Sequence, residues 1–117
     1  MIRLYLLNAL IVPFTGTTAE FKLEKVTTTS AKEIFYIRKL RGCEIVSALG
    51  HEGSVQAFKV IIGDEPEIKL NRVQVFFEQD DEALALVLKN RIPEGVILNF
   101  EEMNKIGFDI FYIKRLK

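Results

Sequence analysis

The side chains in this sequence most suited to chemistry are its one histidine and a few arginines. His51 lies in a turn between Gly50 and Gly53, after an apolar run and before a helical pattern. Helix N-termini attract phosphate because unpaired backbone N–H groups and the positive end of the helix dipole meet there. An imidazole can also donate or accept a proton near neutral pH. If the protein catalyses a reaction, we expect the proton to move through His51.

Four further polar side chains stand out against the hydrophobic pattern. Asn8 interrupts an apolar run, Arg72 opens a predicted strand, and Arg91 precedes Glu94 by three residues. Two arginines, an amide and a histidine at a helix N-terminus would suit a phosphodiester. Each residue also has a simpler interpretation. His51 could cap or pack a helix, Asn8 could cap a turn, Arg72 could keep a strand edge soluble, and Arg91 with Glu94 could be a surface ion pair.

The sequence predicts no metal site and no cofactor. It contains one histidine and one cysteine, too few for a His/Cys metal set. We therefore expect metal-free cleavage, for which an RNA-type substrate is suited because its own 2′-hydroxyl can attack the phosphorus. The protein then needs to align that attack, stabilise the anionic transition state and protonate the 5′-oxygen. His51 would be the acid.

Length and composition predict one ordinary globular domain over residues 1–117. Hydrophobic residues make up 49% and charged residues 27% of the 117 residues. The 16 basic and 16 acidic residues cancel, which argues against specific or broad DNA binding. The apolar opening at residues 4–14 is too short to span a membrane and lacks a signal-peptide pattern. We interpret it as the first strand of a cytoplasmic protein without a membrane partner.

The periodicity predicts an α/β (α+β mixed) fold, a single-layer mixed β-sheet of about five strands flanked by helices. A capping box formed by Ser30 and Glu33 marks one helix start. The predicted strands are residues 2–7, 19–26, 43–48, 72–77, 96–98 and 108–114. The predicted helices run from Ser30 to Gly42, from the His51 turn to Gly63, from Asp80 to Pro93, and from Asn99 to Gly107.

Five segments of the sequence together resemble a known family. They are residues 6–9, 47–51, 71–75, 88–96 and 101–108, which include the Gly50-His51 turn and the Arg91-Ile92-Pro93-Glu94-Gly95 block. In this order they look like the small ring nucleases of archaeal viruses, the type III anti-CRISPR proteins that degrade cyclic tetra-adenylate. The resemblance covers nearly the whole chain.

The resemblance implies a homodimer that binds the cyclic tetranucleotide across its two-fold interface. Metal-independent cleavage at two sites would give linear di-adenylates. His51 matches the general acid, and Arg91 and Glu94 match residues beside the scissile phosphate. A four-fold ring presents equivalent phosphates to both halves of a dimer, so one histidine per chain provides two acids. The positions implied to contact the ligand are Asn8, Ile11, Gly50, Gly53, Ser54 and Arg72.

Two departures from the family leave a second function open. Some relatives carry a serine and an asparagine where this chain has Ile11 and Pro13, and some place a serine where it has Gly53 followed by Ser54. The missing polar groups motivate the alternative, a non-catalytic viral protein that sequesters a cyclic nucleotide or binds nucleic acid.

Overall fold

The structure, a computed structural model, describes residues 2–93 and 95–117. Across these residues the chain forms five strands and three helices. In chain order they are β1 (Arg3–Leu7), β2 (Phe21–Val26), α1 (Thr28–Leu40), β3 (Glu44–Ser47), α2 (Glu52–Ile62), β4 (Glu82–Leu88), α3 (Phe100–Ile106) and β5 (Phe108–Arg115).

The strands form one mixed sheet with the order β2-β5-β4-β1-β3. β1 pairs in parallel with β3 on one side and with β4 on the other. β5 pairs antiparallel with both β4 and β2. This arrangement confirms the predicted mixed α+β fold with a single mixed sheet.

The central strands are buried on both faces, which explains their continuous apolar sequences. β1 directs Leu4 and Leu6 into a core shared with α1, α2 and α3. Its alternate residues, Tyr5 and Leu7, pack on the opposite face against Val75 and its neighbours. The helices therefore cover one face of the sheet. Segments without regular secondary structure pack on the other face.

The predicted helix from Asp80 to Pro93 is wrong, because residues 82–88 are the central strand β4. Alanine, leucine and glutamate favour helices, and a short apolar run buried on both faces looks the same in either structure. Asp81 does not cap a helix; its carboxylate accepts hydrogen bonds from the Glu78 backbone and from Arg3. Arg91 consequently follows the end of a strand, not the last turn of a helix.

Two predicted strands and one helix start also differ from the structure. Residues 72–77 and 96–98 join no strand of the described sheet, although Phe77 forms an isolated bridge with Phe14. α1 begins one turn earlier than predicted, since Thr27 is its N-cap and accepts a hydrogen bond from the Ser30 backbone. The predicted cap of α3 is confirmed, with Asn99 accepting from the Glu102 backbone at 2.9 Å.

A buried ion pair joins α1 to the beginning of β4. The Glu82 carboxylate is about 1% exposed and accepts a hydrogen bond from Arg38 Nε at 2.7 Å. That hydrogen bond raises the pKa of the Arg38 guanidinium. Tyr112 lies beside the pair, and burial raises the pKa of its phenol to about 12. The Arg38 guanidinium and the Tyr112 phenol therefore keep one protonation state across the physiological pH range.

Arg38→Ala is expected to destabilise the protein by about 3–5 kcal/mol, because it leaves the Glu82 charge buried without its partner. Lys39→Ala, at the next position of α1, removes more exposed ion pairs with Glu65 and Glu67 and should destabilise the protein much less, because solvent screens these charges. Guanidinium denaturation of both variants at one protein concentration measures the difference. Equal losses would contradict a stabilising role for the buried pair.

Candidate functional site

The candidate site lies where three parallel strands end. β1, β3 and β4 run in the same direction, so their carboxyl ends, Leu7, Ser47 and Leu88, face one edge of the sheet. The chain passes from β3 on one side of β1 to β4 on the other, and ligands of open α/β sheets bind at such a reversal. Asn8 follows β1 directly and is half-buried, while Arg91 follows β4 by three residues.

The histidine turn links β3 to α2. Leu49 is fully buried and anchors the turn, and His51 is the N-cap residue of α2 in extended conformation. The His51 carbonyl accepts hydrogen bonds from the Ser54 and Val55 backbones, whereas its exposed side chain makes no capping hydrogen bond within the described part of the chain. The imidazole therefore lies at the positive end of α2 without serving as its cap.

Arg72 is held against the histidine turn. Its Nε donates a hydrogen bond to the Gly50 carbonyl at 3.3 Å, and its Cγ lies 3.9 Å from where a Cβ of Gly50 would be. The side chain is exposed, so its guanidinium reaches solvent on the same side as the turn. The structure thus brings together Gly50 and Arg72, two of the predicted residues, which are 22 positions apart in the sequence.

Ile92, the residue after Arg91, lies against the first turn of α2. A Cβ added at Gly53 would lie 2.9 Å from Ile92 Cδ1, so the glycine is what lets the Ile92 side chain lie against the first turn of α2. Arg91 itself is exposed. The resemblance made Gly53 a ligand-contact position, and the geometry shows that it also provides space for Ile92. Glu94, predicted beside Arg91, lies outside the described residues.

Two further predicted positions, Ser54 and Ile11, differ in burial. Ser54 is half-buried in the first turn of α2, where its backbone N–H bonds to the His51 carbonyl. Ile11 is 50% exposed and presents an aliphatic surface in the loop after β1.

Several residues that position the site were missed as site residues. Asn71 donates from its amide to the Ser47 carbonyl at 2.8 Å, and Asn90 donates to the Ile106 carbonyl at 2.8 Å. Both amides immediately precede a candidate arginine in the sequence. That adjacency is the one signal in the sequence that could have identified them, because their partners are 24 and 16 residues away.

The site combines cationic groups with backbone N–H groups and is open to solvent. Among residues 2–93 and 95–117, no three His, Cys, Asp or Glu side chains gather in a way that could hold a metal ion. His51, Arg72 and Arg91 instead suit a phosphate, which arginine can bind through two parallel hydrogen bonds.

A cavity of about 470 Å³ lies along α2, but none of the predicted site residues lines it. It is formed by Gln56, Lys59, Val60, Val96, Ile97 and Leu98. The edge that holds His51 is exposed, so a single chain does not enclose a ligand there.

In the described part of the chain, every helix is too short or too polar to cross a lipid bilayer.

Comparisons with known proteins place the chain among proteins of archaeal viruses. The ORF117 protein of Acidianus two-tailed virus is 42% identical over 115 residues, covering 97% of this chain and 94% of its own length. Protein 26 of Sulfolobus islandicus filamentous virus (isolate Iceland/Hveragerdi) is 34% identical over 110 residues, covering 92% of this chain and 87% of its own.

A solved structure shares the fold. B116 of Sulfolobus turreted icosahedral virus (STIV) superposes with a TM-score of 0.78 at 21% identity, covering 95% of this chain and 97% of that one. The family model described as STIV B116-like matches residues 4–110. The chain therefore belongs to the STIV B116-like family of archaeal virus proteins.

Proposed function

We propose that this protein is a ring nuclease that cleaves cyclic tetra-adenylate without a metal ion and so suppresses type III CRISPR defence. The observation that carries the proposal is the convergence at one sheet edge of the His51 turn, Arg72 bound to Gly50, and the Arg91 segment seated on Gly53. The resemblance of the sequence to ring nucleases of archaeal viruses supports the choice of substrate.

The proposed reaction is an RNA-type transesterification. The ribose 2′-hydroxyl loses its proton to solvent water as its oxygen forms a bond to phosphorus, and the bond from phosphorus to the 5′-oxygen breaks, giving a 2′,3′-cyclic phosphate. His51, as imidazolium, transfers a proton to the departing 5′-oxygen. Arg72 and Arg91 stabilise the negative charge that develops on the non-bridging phosphate oxygens. Cleavage at two opposite phosphates releases two linear di-adenylates.

The open shape of the site supports a homodimer. In one chain the sheet edge that carries His51 is open to solvent. A ring of four nucleotides has the symmetry to contact two identical edges at once. Leu10 and Ile11, 44% and 50% exposed in the loop after β1, offer an apolar surface next to the site. We propose that this loop contributes to the dimer interface and that the ring lies between the two protomers.

The second candidate is a protein that sequesters the ring without cutting it. Ile11 favours it, because its aliphatic side chain offers a bound nucleotide no hydroxyl contact. Charge-driven binding of nucleic acid has less support, since the 16 basic and 16 acidic residues cancel.

Removing the proposed acid should slow cleavage far more than it weakens binding. In buffer containing EDTA, wild-type protein should convert cyclic tetra-adenylate to linear products, and His51→Ala should lower the rate by about 10²–10⁴-fold. Chromatography of the products measures the rate, and calorimetry measures the affinity. Lys32→Ala, on the exposed surface of α1, is the control.

Two results would reject parts of this proposal. Tight binding with no linear product at stoichiometric wild-type protein would favour sequestration over cleavage. A His51→Ala variant as fast as Lys32→Ala would mean that another group donates the proton.

Gly53→Ala should slow cleavage without destabilising the fold. The new Cβ would meet Ile92 Cδ1 at 2.9 Å, so the Ile92 side chain must move and its packing beside Arg91 changes. We expect the changed packing beside Arg91 to slow cleavage about tenfold. Alanine should also stabilise α2 by up to about 1 kcal/mol relative to glycine.

The double variant Gly53→Ala/Ile92→Val is the matched control, because valine lacks the Cδ1 atom that collides. It should recover most of the rate. If it stays as slow as Gly53→Ala, the collision with Ile92 is not the cause.

Ile11→Asp should dissociate the dimer, because it places a charge in the proposed apolar interface. Light scattering should give the dimer mass for the wild type and the monomer mass for the variant, and cleavage should fall with the loss of the dimer. Leu40→Asp makes the same kind of change at a leucine that is 89% exposed on α1 and should remain dimeric. A monomeric wild type at micromolar concentration would refute the dimer.

A further inference from the structure

The carboxyl end of the edge strand β3 is bound to residues 69–71 by a set of hydrogen bonds. Leu49 and Leu70 form an isolated parallel bridge, and the Asn71 backbone donates to the Leu49 carbonyl at 2.9 Å. The Asn71 side-chain amide donates to the Ser47 carbonyl at 2.8 Å, and the Ser47 hydroxyl donates to the Lys69 carbonyl. We call these two side-chain contacts the Ser47–Asn71 latch.

The latch provides hydrogen-bond partners for polar groups of β3 that the sheet does not pair. β3 lies at the end of the described sheet and pairs only with β1, so its outer backbone groups have no strand partner there. Ser47 is 2% exposed, and an unpaired buried carbonyl or hydroxyl costs about 1–3 kcal/mol. Asn71 therefore supplies, from a side chain, the hydrogen bond that a neighbouring strand would supply elsewhere.

Arg72 follows the latch directly and depends on it for its position. Residues 72–76 join no strand of the described sheet, and the next buried side chain after Asn71 is Val75. The Arg72 contact to the Gly50 carbonyl is long, at 3.3 Å, and its side chain is exposed. The chain just before Arg72 is thus fixed by the latch, and the same latch fixes the strand end that leads into the His51 turn.

We propose that Ser47 and Asn71 are positioning residues that hold Arg72 and His51 in one fixed relation. Resting on the proposed function, this means that the phosphate-binding arginine and the proton donor move as one unit. Both residues act through their neighbours and do not touch the substrate.

Asn71→Asp tests the latch with almost no change in side-chain size. The carboxylate replaces an NH₂ donor with an oxygen that cannot donate to the Ser47 carbonyl. We expect kcat for cyclic tetra-adenylate to fall about tenfold to a hundredfold, because catalysis is sensitive to small displacements of Arg72 and His51. Ser47→Ala should act in the same direction, and the double variant should lose no more than the worse single variant, since both break one unit.

Thr27→Ala is the matched control for stability. It removes the N-cap hydrogen bond of α1, worth about 1 kcal/mol, from a helix that begins after β2 at the far side of the sheet. Its kcat should stay within about twofold of wild type, because no positioning contact of the site changes. A general loss of stability would slow both variants alike.

Nuclear magnetic resonance tests the latch independently of activity. His51 is the only histidine, so its imidazole C–H protons give one unambiguous set of signals. Asn71→Asp should shift these signals, and Thr27→Ala should not.

The two readouts separate the possible failures. If wild-type protein does not cleave the ring, the proposed function fails and the His51 signals alone decide on the latch. If the wild type is active, Asn71→Asp must change both kcat and the signals, and either one remaining at its wild-type value overturns the proposal.

Discussion

The parallel pairing of β1 with both β3 and β4 is the constraint on which the rest of the structure depends. β1 lies between these strands and is buried on both faces, with Leu4 and Leu6 on one side and Tyr5 on the other. Because all three strands run the same way, the segments after them must emerge at one edge. The candidate residues meet there as a result of topology, before any polar contact between them is formed.

Charged side chains at the two ends of the sheet differ in burial and in their partners. At the amino ends of β1 and β4, Asp81 binds the Arg3 guanidinium at 2.7 Å and Glu82 binds Arg38. These carboxylates are almost fully buried, so their partners are needed to offset the loss of solvation. At the carboxyl ends, the cationic side chains are exposed instead. The buried charges at the amino ends are thus neutralised by their partners, whereas the arginines of the candidate site are open to solvent.

The sequence predicted most elements whose pattern is local. Asn99 and Gly107 bound α3 as expected, because a cap and a left-handed glycine each depend on a few neighbouring residues. β4 was missed since its helix-favouring residues form a strand only through pairing with β1 and β5, which are distant in the sequence. Tertiary context overrides propensity in such a segment.

The site was predicted in part for the same reason. His51 and the residues around it were identified from residue type and turn pattern, both of which are local. The approach of Ile92 to Gly53 and the hydrogen bond from Asn71 to Ser47 join segments 39 and 24 residues apart, and periodicity carries no information about them. Residues 72–77 were predicted to be a strand, and Val75 and Phe77 are buried as alternate residues of a strand would be, although the segment forms no ladder.

The separation of the ion pairs from the open edge has a consequence for how such proteins can diverge. Substitutions in the loops after β1, β3 and β4 leave the paired carboxylates at the opposite end intact, so these loops can change while the fold is kept. The B116 structure, with about four in five aligned residues different and a TM-score of 0.78, shows how far the scaffold persists through sequence drift. The sheet can thus persist while the loops at its carboxyl edge vary in sequence.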